Sequence, residues 1–179
     1  LNSMHNIHVV AVADIDESRK SKITNGMRFY QDYRLMLTNE QLDAVIVSTP
    51  PATHFEITRF CIQAGVDVLL EKPATTDIKE FEELIQLAKS KKQVLVIAFH
   101  ARFGKELQWF VREYRENLKG MLGNIREFVC NFCDPYVVLE TGTVKEHAKV
   151  LMGSWMDSGI NALSVASQLV NNLKTVSKE

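Results

Sequence analysis

The sequence has few cysteines: Cys61, Cys130 and Cys133 are the only three in 179 residues. An odd number of cysteines in a chain with no export signal favours reduced thiols over a disulfide framework. Cys130 and Cys133 have the CxxC spacing, but a zinc site needs a second pair of ligands, which the sequence lacks. The sequence therefore predicts neither a disulfide scaffold nor a metal site.

Neither sign of charge dominates, because the sequence has 21 lysines and arginines and 22 aspartates and glutamates. This balance gives no electrostatic reason to expect binding to nucleic acid or to an anionic membrane. No apolar run approaches the ~20 residues that a membrane helix needs, and residues 1–5 lack the pattern of a signal peptide. We therefore expect a cytoplasmic protein that binds neither nucleic acid nor membrane.

Four short apolar segments alternate with helical patterns through the first hundred residues. Residues 7–13, 42–48, 66–70 and 94–99 are typical of buried strands, whereas residues 17–25, 33–37, 54–64 and 77–90 are typical of helices. Strands that are apolar on both faces and alternate with helices predict a parallel sheet covered on both sides. The expected fold class is therefore α/β, a doubly wound, Rossmann-like sheet.

The pattern changes after residue 105, where a helix leads into the strand-like residues 125–132 and no further βα cycle follows. Residues 154–169 then form an apolar-faced helical pattern. The sequence therefore predicts a dinucleotide-binding domain over residues 1–119 and the beginning of an α+β substrate domain over residues 120–179.

A glycine-rich turn of the form GxGxxG is absent from the sequence. In a dinucleotide-binding domain such a turn precedes an acidic residue placed as Asp14 is, just past an apolar strand. Residues 1–4 are typical of the tail of the helix that would follow the turn. We therefore expect an interior piece of a longer protein, incomplete at both ends; a complete, smaller fold is the alternative.

Glu71, Lys72 and Pro73 follow the third predicted strand directly. The carboxyl ends of parallel strands are where open α/β sheets bind their ligands. Pro73 disfavours helical geometry at Lys72, so the lysine is expected at a stiff strand exit. This placement makes Lys72 a candidate catalytic amine, and a solvated surface lysine is the alternative.

Five short motifs occur together in one order along the chain. They are Val-Ala-Val-Ala-Asp at residues 10–14, Ser-Thr-Pro-Pro at 48–51 with His54, Glu-Lys-Pro at 71–73, Phe-His-Ala-Arg-Phe at 99–103, and Asp-Ser-Gly-Ile-Asn at 157–161. In this order and spacing the chain resembles the Gfo/Idh/MocA family of NAD(P)-dependent sugar and cyclitol oxidoreductases. Because Asn161 stands where inositol dehydrogenases carry histidine, the chain is most similar to aldose 1-dehydrogenases acting on galactose or arabinose.

The resemblance implies a set of cofactor contacts. Asp14 would accept hydrogen bonds from the adenosine ribose, which favours NAD, while Ser18 and Arg19 leave NADP use open. Thr49, Pro50 and His54 would border the nicotinamide half, although His54 is equally interpretable as a packed helix residue. Glu71 and Lys72 would face nicotinamide and substrate. Without a glycine-rich turn to hold the pyrophosphate, the chain alone is expected to bind dinucleotide weakly.

The resemblance also implies catalytic and substrate residues. Lys72 and Asp157 would transfer or polarise the proton, and Asn161, which cannot titrate, would orient the substrate. His100, Arg102 and Trp155 would contact the sugar or polyol. The plainer alternatives are helix capping for Asp157, a solvated helix residue for Asn161, a surface pair for His100 with Arg102, and core packing for Trp155.

Other functions on the same scaffold stay open at this point. Some relatives hold NAD tightly and use transient oxidation for glycoside hydrolysis or epimerisation, and a non-catalytic sensor of cofactor or sugar is a third possibility. The family's second domain commonly pairs its sheet with another subunit, so the resemblance also implies a homo-oligomer.

Overall fold

The computed structural model describes residues 6–24, 26–131, 141–143 and 155–170. Within it the chain forms two compact units. The first comprises residues 1–70 and 77–96, and the second comprises residues 71–76 and 97–179. The unit boundaries therefore fall just before Glu71, Asp77 and Ile97, so that the Glu-Lys-Pro motif belongs to the second unit. The domain boundary predicted near residue 120 stays a prediction.

A short parallel pair of strands opens the first unit. Strand β1 (Ala11–Ala13) pairs with strand β2 (Arg28–Tyr30), with Ala11 opposite Arg28 and Ala13 opposite Tyr30. The helix predicted over residues 17–25 is wrong in type and length, because a 3₁₀ helix over Glu17–Lys22 fills the crossover. Its first turn is capped by Asp16, whose side chain accepts a hydrogen bond from the backbone N–H of Ser18 at 3.0 Å.

A buried carboxylate ties β2 to the next helix, α1 (Tyr33–Asn39). Glu40 follows α1, its side chain is 4% exposed, and it accepts hydrogen bonds from the guanidinium of Arg28 and the hydroxyl of Tyr30. The hydrogen bond from Arg28, more than that from Tyr30, holds the pKa of the Glu40 carboxyl below its ordinary value. The cluster satisfies a charge that would otherwise be costly to bury.

The main sheet has three strands, β3 (Ala44–Val47), β4 (Asp67–Glu71) and β5 (Leu95–Ala98), with β4 in the middle. β3 and β4 run parallel with Val47 opposite Leu70. Helix α2 (His54–Gln63) links β3 to β4, and helix α3 (Ile78–Lys91) links β4 to β5. Parallel strands joined by crossover helices confirm the predicted Rossmann-like α/β class.

The core of the first unit lies between this sheet and the packed helices α2 and α3. The buried apolar residues of β3, α2, β4 and α3, together with Val66 just before β4, form it: Val47, Cys61, Ile62, Val66, Val68, Leu70, Leu84 and Ala88. In β4 the buried positions alternate, at Val68 and Leu70, as expected for a central strand. This core buries the side chains of Val68 and Leu70 in β4.

Asp77 begins α3 as its N-cap, with its side chain accepting the N–H of Lys79 at 2.7 Å. We expect Asp77→Ala to lower the free energy of unfolding by about 1 kcal/mol, because one N–H of the first turn loses its acceptor. Urea denaturation followed by circular dichroism measures the change. Asp77→Asn is the matched control and should stay close to wild type, since asparagine caps equally well; equal losses in both variants would contradict the capping role.

In the second unit, a 3₁₀ helix (His100–Phe103) precedes α4 (Lys105–Glu113), a π-helical turn (Tyr114–Leu118) and α5 (Lys119–Leu122). The strand predicted over residues 125–132 is wrong for the described part, since residues 125–131 form no strand. A strand needs a paired neighbour. Here the N–H of Ile125 instead donates to the hydroxyl of Tyr114 at 3.1 Å, and residue 132 lies outside the described residues.

The helix predicted over residues 154–169 is shorter and in two parts. A π-helical turn (Trp155–Gly159) continues into α6 (Ile160–Ala166), which packs against the 3₁₀ helix at His100–Phe103. Among the helices that the structure describes, not one combines the length and the hydropathy that crossing a lipid bilayer would require.

Candidate functional site

Lys72 follows β4 within the second unit, at the strand end where ligands bind in open α/β sheets. The peptide bond between Lys72 and Pro73 is cis. The Lys72 ammonium forms an ion pair with the carboxylate of Asp157 and donates to the backbone oxygen of the same residue at 3.2 Å. The side chains are only 14% and 10% exposed, respectively, so the pair is largely removed from water.

Asp157 and Asn161 lie one helical turn apart, where the π-helical turn passes into α6. The amide nitrogen of Asn161 donates to the backbone oxygen of Asp157 at 3.2 Å. That oxygen therefore accepts hydrogen bonds from both Lys72 and Asn161. The structure brings together the three residues that the sequence predicted as catalytic.

The amide oxygen of Asn161 has no hydrogen-bond partner among the described residues, although the residue is only 2% exposed. A buried acceptor without a donor is costly, and the cost is relieved when a ligand or a water supplies an O–H or N–H. An amide oxygen beside an ammonium–carboxylate pair suits a hydroxyl-bearing ligand, because the hydroxyl can both donate and accept. The arrangement can thus position an alcohol and move its proton.

The second unit also contains the predicted cofactor residue Glu71 and the predicted substrate residues His100, Arg102 and Trp155. The Glu71 carboxylate accepts the N–H of Lys72 at 3.1 Å, and His100 is exposed. Arg102 donates to the side-chain oxygen of Gln168 at 3.2 and 2.6 Å when that amide is oriented to accept. Trp155 begins the π-helical turn. The substrate contacts expected of His100, Arg102 and Trp155 stay predictions.

Sequence reasoning did not single out Gln168, which lies in this unit. Its side chain faces Arg102, and its backbone oxygen accepts from Arg115 at 2.8 Å. The two arginines therefore hold the segment just after α6, the helix that carries Asn161. Helical periodicity could not have indicated this residue, because α6 ends at Ala166 and Gln168 lies in the turn that follows.

In the first unit, Asp14 lies just past β1, the position at which an acidic side chain can bind ribose hydroxyls. Its carboxylate is 29% exposed, accepts the N–H of Asp16 at 2.9 Å, and lies 3.3 Å from the Nε of Arg19. A partly exposed carboxylate held in place by a backbone N–H still offers acceptor positions to a hydroxyl pair. Asp14 therefore fits the adenosine ribose of a dinucleotide.

The turn after β3 is braced by its own side chains. His54 is 1% exposed, and its Nε2 lies 2.7 Å from the backbone oxygen of Thr49. The Thr53 hydroxyl contacts both the Thr49 hydroxyl and the Pro50 backbone oxygen at 2.8 Å. The buried ring of His54 thus shapes the turn formed by Thr49 and Pro50, and the cofactor contacts of these three residues stay predictions.

Within the described ranges, three or more histidine, cysteine or carboxylate side chains nowhere gather in a metal-binding group. Cys61 is buried in α2, and burial raises the pKa of its thiol to about 11. A neutral thiol at physiological pH is a poor nucleophile. Cys130 is partly buried, and Cys133 lies outside the described residues.

Residues 1–99 match the model of the family Gfo/Idh/MocA, described as an oxidoreductase family with an NAD-binding Rossmann fold. The scyllo-inositol 2-dehydrogenase (NADP⁺) of Bacillus subtilis is 29% identical over 157 residues, which cover 85% of this chain and 46% of that protein. The UDP-N-acetylglucosamine 3-dehydrogenase of Acidithiobacillus ferrooxidans is 39% identical over 69 residues, covering 38% of this chain and 22% of that protein.

The crystal structure of myo-inositol 2-dehydrogenase from Lactobacillus plantarum matches with a TM-score of 0.62 and 26% identity. The match covers 69% of this chain and 37% of that one. In all three comparisons the chain spans less than half of the relative's own length.

Proposed function

The chain belongs to the oxidoreductase family Gfo/Idh/MocA, with its NAD-binding Rossmann fold, and from that membership we propose that the protein transfers a hydride between NAD(P) and a sugar or polyol. The relatives named for inositols and for a UDP-sugar support a carbohydrate-like substrate. Bound NAD(P) supplies the hydride acceptor or donor. The chain's own residues hold the substrate hydroxyl and handle its proton.

The observation that carries this proposal is the buried amide oxygen of Asn161 beside the ion pair of Lys72 and Asp157. A sugar hydroxyl donating to that oxygen would gain a hydrogen bond that the described residues do not provide. The Lys72 ammonium would then donate to an oxygen of the same substrate. Two fixed contacts of opposite polarity orient the reacting carbon, which is a large part of what hydride transfer requires.

Proton transfer is assigned to Lys72 and Asp157 acting as a pair. When the substrate is oxidised, the Asp157 carboxylate takes a proton from Lys72, and Lys72 takes the hydroxyl proton as the hydride leaves the same carbon for the bound cofactor and the carbonyl forms. When a carbonyl is reduced, the same transfers run in reverse, and Lys72 donates the proton to its oxygen. The amide side chain of Asn161 does not titrate, so it serves only to orient the substrate.

Within this class of reaction we propose oxidation at C1 of an aldose. Asn161 cannot act as a base, so a substrate whose hydroxyl is already more acidic suits this site better. The hemiacetal hydroxyl at C1 is more acidic than an ordinary secondary hydroxyl. A homo-oligomeric, cytoplasmic enzyme completes the proposal, in line with the resemblance of its motifs.

A substrate panel tests the proposal. With the full-length protein we expect formation of NADH or NADPH, measured by absorbance, with galactose or arabinose and at least ~10-fold lower kcat/KM with myo-inositol. The matched control is the corresponding methyl glycoside, in which the C1 hydroxyl is blocked and which should be inert.

Turnover of the methyl glycoside, or preference for inositol, would refute the aldose assignment while leaving the oxidoreductase proposal intact. Silence across aldoses, inositols and UDP-sugars with both cofactors would refute hydride transfer and favour a sensor.

A further inference from the structure

Two arginines contact the residue that follows α6, the helix that begins beside the candidate site. The guanidinium of Arg102 donates to the side-chain oxygen of Gln168 at 3.2 Å from Nε and at 2.6 Å from a terminal nitrogen. A guanidinium can only donate, so the amide of Gln168 must turn its oxygen toward Arg102. Arg115 donates to the backbone oxygen of the same residue at 2.8 Å. Gln168 is therefore held through its side chain and its backbone at once.

The two arginines belong to different elements of the second unit. Arg102 lies in the 3₁₀ helix at His100–Phe103, and Arg115 lies in the π-helical turn at Tyr114–Leu118. The backbone oxygen of Arg102 in turn accepts a hydrogen bond from the side chain of Gln108 in α4. Contacts from two elements restrain the end of α6 more than one contact would, because each blocks rotation about the other.

The length of α6 makes its position depend on such contacts. The helix has seven residues, Ile160–Ala166, and a helix of that length is not stable on its own in water. The ion pair of Lys72 with Asp157 precedes the helix, and Gln168 follows it. Its placement is therefore set by tertiary contacts at both of its ends.

The placement of α6 controls the buried amide oxygen of Asn161. Asn161 lies at the start of the helix, and Gln168 is about 10 Å further along its axis at 1.5 Å per residue. The contact of Arg102 with Gln168 is thus two turns away from Asn161 and acts on it through the helix. An orienting group displaced by about 1 Å can lower a rate by ~100-fold, so a restraint at the far end of α6 bears on the reaction.

We propose that Arg102 and Gln168 are positioning residues, whose contact holds α6 so that the amide oxygen of Asn161 faces the substrate hydroxyl. Arg102 acts through Gln168 and the helix and does not bind the sugar. This inference rests on the proposed function in taking Asn161 as the group that orients the substrate. A direct contact of Arg102 with the substrate, expected from the family resemblance, is the competing assignment.

Steady-state kinetics of the full-length protein with an aldose test the inference. Gln168→Leu removes the acceptor at similar side-chain volume, and Arg102→Met removes the donor but keeps an unbranched stem. We expect each to lower kcat/KM for the aldose about 10-fold and to raise its KM at least ~3-fold, with the KM of the cofactor within ~2-fold of wild type. The double variant should be no worse than either single variant, because the contact is already lost.

A conservative variant and a control separate positioning from general loss of structure. Gln168→Glu should stay within ~3-fold of wild type, since a carboxylate accepts both N–H groups of the guanidinium. Arg112→Ala is the matched control, because Arg112 is an exposed arginine on α4, and it should leave kcat and KM within ~2-fold.

Three kinetic outcomes would overturn the inference. Wild-type kinetics in Gln168→Leu together with a loss in Arg102→Met would assign Arg102 to the substrate. Additive losses in the double variant would mean that the two residues act separately. A lower kcat at unchanged KM, in proportion to the fraction of folded protein, would mean a purely structural role.

Hydrogen exchange read by mass spectrometry distinguishes this inference from the proposed reaction, since it needs no turnover. The backbone amides of α6 should exchange at least ~5-fold faster in Gln168→Leu and Arg102→Met than in wild type, whereas those of α3 should not change. Faster exchange without turnover of any sugar by the wild type would refute the reaction while supporting the hold of Arg102 and Gln168 on α6. Turnover by the wild type with unchanged exchange in both variants would refute the positioning role alone.

Discussion

Lys72→Ala in the full-length protein is expected to lower kcat for sugar oxidation by at least ~100-fold, because the substrate loses the group that donates to its oxygen and shares its proton. Lys72 lies at the stiff end of β4 with its ammonium on the Asp157 carboxylate. The contact with the reacting oxygen strengthens as charge develops there, so its removal affects kcat more than substrate affinity. Initial rates at saturating aldose and cofactor measure the effect.

Two variants control for indirect effects of this change. Lys79→Ala removes an exposed ammonium on α3, outside the candidate site, and should leave kcat within ~3-fold of wild type. Lys72→Arg keeps the positive charge but replaces a compact ammonium by a planar guanidinium, so partial activity is expected. A raised KM with unchanged kcat in Lys72→Ala would remove the lysine from the proton-transfer step.

The elements that sequence reasoning predicted well are those in which apolar residues repeat over a full helix or strand. Helix α2 (His54–Gln63) and helix α3 (Ile78–Lys91) each show apolar spacing at helical period, with Gly65 following α2 and Asp77 capping the start of α3. Strand β4 carries the apolar residues Val68, Leu69 and Leu70 between two carboxylates. In all three the local pattern and the tertiary packing favour the same structure, which is why the prediction succeeded.

The elements missed are short and depend on distant partners. Strand β2 (Arg28–Tyr30) begins with a charged residue and has three residues, so no period can be read from it; pairing with β1 makes it a strand. Residues 125–131 are the converse case. Their apolar pattern predicts a strand, but they form none, and no paired neighbour lies among the described residues. Propensity alone decides neither case.

In the candidate site too, features set by local sequence could be predicted, whereas contacts between distant residues could not. The placement of Lys72 after a buried strand was readable from the sequence, and so was the four-residue spacing of Asp157 and Asn161. The ion pair joins residues 85 positions apart, and its expectation came from the family resemblance alone. That one backbone oxygen, of Asp157, accepts from both Lys72 and Asn161 has no signature in the sequence.

The ion pair between Lys72 and Asp157 should also dominate the local stability of the second unit. Lys72→Met is expected to lower the free energy of unfolding by about 3 kcal/mol, because the Asp157 carboxylate, 10% exposed, loses its cation. Replacing both residues, Lys72→Met together with Asp157→Leu, should recover most of that loss, since two apolar side chains of similar volume need no charge compensation.

Urea denaturation of the single and double variants measures this coupling, with the denaturant slope compared to verify that the same surface unfolds. Glu56→Gln is the matched control, because Glu56 pairs with Arg34 where the side chains are 62% and 46% exposed, respectively, and should cost under about 1 kcal/mol. The double variant should remain inactive despite its recovered stability. A double variant less stable than Lys72→Met would mean that the buried pair is net stabilising and that its conversion to apolar contacts fails here.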